Sequence, residues 1–129
     1  MKPDYIQKVG EPWFTLIKLG LKTVEGRLNK KDFKEMKVGD IVKWTNNDFY
    51  EREVLTKIVS KTEYDNFHNY LKKEGLSNCL PGVTTIDDGK SVYYKYYTKE
   101  AENEYGVVAI KVKVISGKSR SRSRSRSRK

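Results

Sequence analysis

Apolar and polar positions along the chain change period several times, and each change marks an element. Tyr5-Ile6-Gln7-Lys8-Val9 alternates, which predicts a short opening strand ended by Gly10. Glu11-Pro12 then opens a helix, since proline is tolerated in a first turn where its missing N–H has no partner to lose. Trp13, Leu16 and Ile17, at i, i+3 and i+4, give that helix one apolar face. Gly20, able to take positive φ, terminates it. The run Thr23-Val24-Glu25-Gly26-Arg27 alternates again and predicts a strand, with Val24 on one face and Glu25 and Arg27 on the other.

Downstream, Leu28-Asn29 turns into a short helical stretch over residues 30–36 in which Phe33 and Met36 face inward. Lys37-Val38-Gly39-Asp40 reads as a turn, Ile41-Val42-Lys43-Trp44-Thr45 as a strand and Asn46-Asn47-Asp48 as a turn. Residues 50–60 form a longer strand with Val54, Thr56 and Ile58 on one face, which completes a hairpin. Thr62 occupies an N-cap position, with Tyr64, Phe67 and Leu71 at helical spacing up to Gly75 as the C-cap. Residues 76–89, rich in Asn, Pro, Gly and Asp, predict a long loop over a cleft mouth. Residues 99–105 form a short polar helix stopped by Gly106. Residues 107–115 close the domain as a strand, with Ile110, Val112 and Val114 on one side and Lys111 and Lys113 on the other. Short helices set between strands and hairpins favour a small mixed α+β barrel over a parallel sheet.

Composition changes the picture at the C-terminus. After Gly117-Lys118 the chain alternates Ser and Arg up to Arg128, a run with nothing to bury, so a disordered tail over residues 117–129 is expected beyond a domain of residues 1–116. The formal net charge is +10, yet the tail holds seven of the 27 basic residues and no acid, so the first 117 residues carry only +3. The tail is therefore the polycation. Arg120, Arg122, Arg124, Arg126 and Arg128 attract phosphates by counterion release without sequence preference, and phosphorylation of the intervening serines would cancel that charge.

One cysteine, Cys79, excludes an internal disulfide, and one histidine, His68, leaves no structural zinc set; neither a metal nor an organic cofactor is expected. No stretch has the roughly 20 apolar residues that span a bilayer, and the N-terminus lacks a signal-peptide block, so a soluble intracellular protein with no membrane partner is expected.

The most chemically loaded stretch is Gly20-Leu21-Lys22-Thr23-Val24-Glu25-Gly26-Arg27. A carboxylate and a guanidinium two residues apart on a strand brace each other and leave donors of Arg27, with nearby Lys22, for an anion or a base edge. On a regular strand Lys22 and Glu25 point apart, so their convergence requires Lys22 to lie in the turn ahead. The plainer reading is a strand-edge salt bridge of Glu25 with Arg27 beside a solvated Lys22. Near the other end, Tyr93, Tyr94, Tyr96 and Tyr97 are too dense to be all core. With Lys95 and Lys99 among them they read equally as barrel filler or as stacking rings with phosphate-binding cations. Trp13, Trp44 and Phe67 read as core.

The pattern G-x-K-x-x-E-x-R after a short helix, then Lys37-Val38-Gly39-Asp40-Ile41, then Tyr105-Gly106-Val107-Val108-Ala109-Ile110, resembles the ASCH (activating signal cointegrator homology) domain, of the PUA-like group of small β-barrels, over about residues 5–116. The resemblance implies a compact PUA-like β-barrel with flanking short helices and a basic cleft beside the signature, proposed for the family to hold RNA. On that reading Lys22, Glu25, Arg27, Tyr94, Lys95 and Tyr97 contact a nucleotide, with RNA or a modified nucleoside as partner.

Some small ASCH members are described as amidohydrolases that deacetylate acetylcytidine. They carry a threonine two residues before the signature arginine and a lysine three before that threonine. Here Lys22 matches, whereas Glu25 stands at the threonine position. On this alternative the catalytic set is Lys22 with Glu25 or Thr23, and Glu74, near where those members place an acid. The tail resembles the Ser-Arg segments of eukaryotic splicing factors, which implies a Ser/Arg-directed kinase, contacts with other Ser-Arg proteins and a nuclear setting in a eukaryotic or virus-infected cell. A protein-interaction module that docks through the tail is a third possibility.

Overall fold

The computed structural model describes residues 2–115; the predicted tail over residues 117–129 lies outside them. In chain order the elements are β1 (Tyr5–Lys8), α1 (Trp13–Lys18), β2 (Val24–Leu28), α2 (Lys31–Glu35), β3 (Ile41–Asn46) and β4 (Arg52–Tyr64). They continue with α3 (Phe67–Glu74), α4 (Leu76–Cys79), α5 (Ile86–Tyr94), α6 (Lys99–Tyr105) and β5 (Val107–Val114). The strands form one sheet in the order β1-β3-β4-β5-β2. Only β1 with β3 is parallel; the other neighbours are antiparallel.

The sheet curls because β4 is long enough to serve two neighbours. Its first half pairs with β3 and most of its length with β5, and between Ile58 and Ser60 the register slips by one residue. Such a bulge bends a strand and raises its twist. The result is a mixed α+β half-barrel whose two edges, β1 and β2, make no ladder with each other among the described residues.

Two apolar cores arise from this curl. Inside it lie Trp44, Val54, Ile58, Val108 and Ile110 with Phe14 and Ile17 of α1. Outside it, Val24, Leu28, Val107 and Ala109 are covered by Phe67, Tyr70 and Leu71 of α3 and by Tyr93 of α5. The run Val107-Val108-Ala109-Ile110 is buried on both faces, which explains why it is continuously apolar whereas Lys111 and Lys113 further on alternate outward.

Three expectations are corrected. Thr62 does not cap a helix: Thr62 and Tyr64 extend β4, opposite Ala109 and Val107, and α3 begins three residues after Tyr64 with Asn66 as its cap, whose side chain accepts from Asn69 N at 2.8 Å. The available ladder partner overrode the local capping signal. Residues 76–89 are not one loop but α4, a turn and the start of α5, capped by Thr85. Gly89 lies inside α5 because a Cβ there would stand 2.9 Å from Leu71 Cδ1 and 3.0 Å from Leu76 Cδ1, so a residue that looks like a breaker is a packing contact. In α1, Pro12 is the cap and the buried residues are Phe14 and Ile17, with Trp13 only partly covered.

The end of α1 sets the course of the signature. Gly20 has φ +79, Gly20 N donates to Ile17 O at 3.0 Å and Leu21 N to Leu16 O at 3.0 Å. This Schellman turn stops the helix and aims the chain at β2.

Candidate functional site

Register decides which way the signature faces. Glu25 pairs with Ile110 and Arg27 with Val108, both residues of the inner core, so the two ionic side chains point into the curl while Val24 and Leu28 face the helices. A charge so placed needs a local counter-charge.

Lys22 supplies it. The ladder of β2 begins at Val24, so Lys22 lies in the turn ahead, and its ammonium folds back to Glu25 Oε1 at 3.1 Å. It also donates to Val24 O at 2.7 Å and to Cys79 O. Three N–H groups therefore meet three acceptors in a side chain only 2 % exposed, which corrects the picture of a solvated lysine. On its other oxygen Glu25 accepts from Arg27 Nε at 2.8 Å. Burial pushes the Glu25 carboxyl up, but Lys22 and Arg27 outweigh it and hold it below the usual carboxylate range. Burial likewise works against the Arg27 charge, and Glu25 outweighs it, so the guanidinium binds its proton more tightly than usual.

Arg27 also ties the sheet edges together. Its Nη2 donates to Lys8 O of β1 at 3.0 Å, and its guanidinium carbon lies 4.9 Å from the centre of the Phe33 ring. Above the trio, in the gap between β1 and β2, is a cavity of about 170 Å³. Trp13, Tyr93 and Tyr97 give it ring walls, and Tyr96, 66 % exposed, stands at its rim. An apolar cavity of about 150 Å³ accepts benzene, so this volume suits one ring rather than a whole nucleotide.

The family model described as ASCH domain matches residues 8–116. The chain belongs to the ASCH domain family. Among solved structures it resembles hypothetical protein PH0355, with 36 % identity over 86 % of this chain and 98 % of that one and a TM-score of 0.78. It also resembles protein PF0455 from Pyrococcus furiosus, with 34 % identity over 87 % and 97 % and a TM-score of 0.71. No curated protein matches it.

The glycine inside the ASCH signature has a packing reason. A Cβ at Gly26 would fall 2.4 Å from Tyr70 Cζ, so only glycine lets that ring lie against β2. Tyr70 in turn shares a 2.9 Å hydrogen bond between hydroxyls with Tyr93, and Tyr93 stacks on Phe67 with centroids 4.5 Å apart. Burial raises the Tyr93 hydroxyl well above its ordinary pKa, which keeps it neutral beside Glu25.

Other candidate residues fall elsewhere. Tyr97 lines the cavity, but the Tyr94 hydroxyl is committed to Glu102 at 2.8 Å and Lys95 caps α5 on the surface. Thr23 does not line the cavity; its N–H donates to Asn78 O and its carbonyl accepts from Val112 N. The carboxylate of Glu74 accepts from the Tyr64 hydroxyl at 2.5 Å, also outside the cavity. His68 is exposed; Cys79 is buried, its thiol pushed up to about 11 by burial, and Lys22 meets its carbonyl. Among the described residues no group of three or more His, Cys, Asp and Glu could hold a metal ion.

Sequence reasoning missed Trp13 as a cavity residue, and it left Tyr93 and Tyr96 open between barrel filler and stacking ring without setting them in the nucleotide-contacting group. The signal for Trp13 was its adjacency to Phe14: neighbours on a helix cannot share one face, and Phe14 takes the core. For Tyr93 and Tyr96 the signal was the density of the tyrosine cluster, which does not tell which rings reach the cavity.

Proposed function

We propose that this ASCH module binds RNA, taking one base into the cavity between the sheet edges, while the Ser-Arg tail adds affinity without sequence preference. The observation that carries this reading is the ion pair of buried Glu25 with half-buried Arg27 at the inner end of a ring-sized cavity with aromatic walls. A carboxylate held ionised is acceptor-only and suits an exocyclic amine, the remaining donors of Arg27 suit a ring nitrogen or carbonyl, and tyrosine faces suit stacking. Deleting residues 118–129 should flatten the dependence of RNA affinity on salt, by about 0.7 in the log–log slope for each phosphate no longer neutralised. Arg27→Ala should weaken binding with less change in that slope. Parent-like binding by both variants would refute the proposal.

Binding is favoured over deacetylation of a nucleoside by the same geometry. The ammonium of Lys22 has its three N–H groups engaged, and Glu25 is a weak base while its carboxyl stays below the usual range. Neither Thr23 nor Glu74 reaches the cavity. Cytidine released from acetylcytidine by the purified protein, and lost in Lys22→Met, would reverse that preference.

A further inference from the structure

Two more hollows adjoin the central cavity and share its walls. One, of about 280 Å³, lies beyond Arg27 and Tyr97 and is also bounded by Gln7, Lys30 and Lys31. The other, of about 330 Å³, lies beyond Lys8, Val9 and Gly10 and is bounded by Asn46, Asn47 and Asp48. The first shares Arg27 and Tyr97 with the central cavity, and the second, at the ends of β1 and β3, shares Lys8, Val9 and Gly10 with it. Together they offer more room than a nucleoside needs.

Their chemistry differs in a way that suits a polynucleotide. The first hollow gathers three cations, Arg27, Lys30 and Lys31, against one acid, Asp32, whose carboxylate already accepts from Gln7 Nε2 at 2.9 Å. Lys31 is exposed, and no salt bridge joins it to a carboxylate among the described residues. Its backbone is held at φ +53, a region that side-chain-bearing residues rarely adopt and that persists where surrounding structure imposes it. The other hollow sets one cation, Lys8, against one carboxylate, Asp48, beside the amides of Asn46 and Asn47, so it lacks the excess of positive charge that the first offers a phosphate.

We infer that the ligand is an internal stretch of single-stranded RNA, with one base in the central cavity and the adjoining phosphodiester seated between Arg27 and Lys31. This rests on the proposed seating of a base in the cavity and adds a phosphate seat to it. A base can reach buried Glu25 only when it is unstacked and unpaired, which a duplex interior does not offer.

The test uses the full chain and hexaribonucleotides of each of the four bases, single-stranded and annealed to their complements, with affinity followed against salt. Lys31→Gln removes the cation, and Lys31→Gly removes it while suiting the positive φ, so folding is preserved. Both should make the single-strand salt slope shallower by about 0.7 and leave the duplex slope, set by the tail, unchanged. Tyr96→Ala, at the rim of the central cavity alone, should weaken single-strand binding about fivefold or more with the slope unchanged. If both Lys31 variants keep the parent slope, or lose the same slope on duplexes, the phosphate seat is overturned while the base cavity stands. If Tyr96→Ala and Arg27→Ala both bind like the parent, the base cavity itself is overturned.

Discussion

Replacing Glu25 with glutamine isolates the charge at the centre of the site. Glutamine keeps the side-chain volume and one acceptor oxygen, so no void forms, but Lys22, 2 % exposed, is left with carbonyl oxygens alone and no counter-charge. Arg27, its side chain 19 % exposed, loses its carboxylate partner as well, and with the single amide oxygen turned to Lys22 it keeps the Lys8 carbonyl and faces an NH2 donor. Removing one partner of a buried pair costs about 3–5 kcal/mol, because the remaining charge is buried and uncompensated. That is a large share of the roughly 5–15 kcal/mol that holds a domain together. In urea, where small domains lose about 1–3 kcal/mol per molar, the unfolding midpoint followed by circular dichroism should fall by more than about 1 M. The double variant Lys22→Met with Glu25→Gln removes both buried charges and should regain at least half of the loss, since replacing a buried pair by apolar groups is often neutral. A Glu25→Gln stability within about 1 kcal/mol of the parent would show that water reaches Lys22 and Arg27, and the buried trio would cease to explain the site.

The same carboxylate sets an acid limit. Because its folded pKa is depressed, the stability it contributes is complete above the unfolded value of about 4.3 and is lost as pH falls through the folded value; the parent should therefore lose stability below about pH 4 more steeply than Glu25→Gln. Gly26→Ala drives a methyl into the Tyr70 ring and should destabilise by about 1–3 kcal/mol in the same urea titration, with Tyr70→Ala in the same chain relieving the clash and giving a favourable coupling energy. Cys79, buried with its thiol pushed up to about 11, should resist a thiol reagent at pH 8 in the native protein and react at once in denaturant; rapid native labelling would contradict its burial.

Much of the frame was legible. The period changes located all five strands, the helix ends at Gly20, Gly75 and Gly106, and the inward set Val54, Thr56 and Ile58, because each depends on alternation or on a residue able to take positive φ. What failed was local chemistry read without its neighbours. Thr62 has a capping side chain, but β5 offered its residue a ladder. Gly89 looks like a breaker, yet three leucines closing on α5 require it. The ion pair Glu25–Arg27 followed from their spacing, and even the position of Lys22 ahead of the strand was a definite geometric requirement.

By itself the amino-acid order determined which residues alternate, where helices stop and that an acid flanked by two bases would sit at a strand entry, since those are properties of a few adjacent residues. Only the folded sheet decided that the acid faces inward. The register of β2 on β5 and the bend of β4 bring two unpaired edges together, and the rings that wall the gap arrive from α1, from α5 and from the segment after it, far apart along the chain. Depth of burial, which turns an ordinary salt bridge into a site with a held charge, is a sum over those distant neighbours and is written in none of them singly.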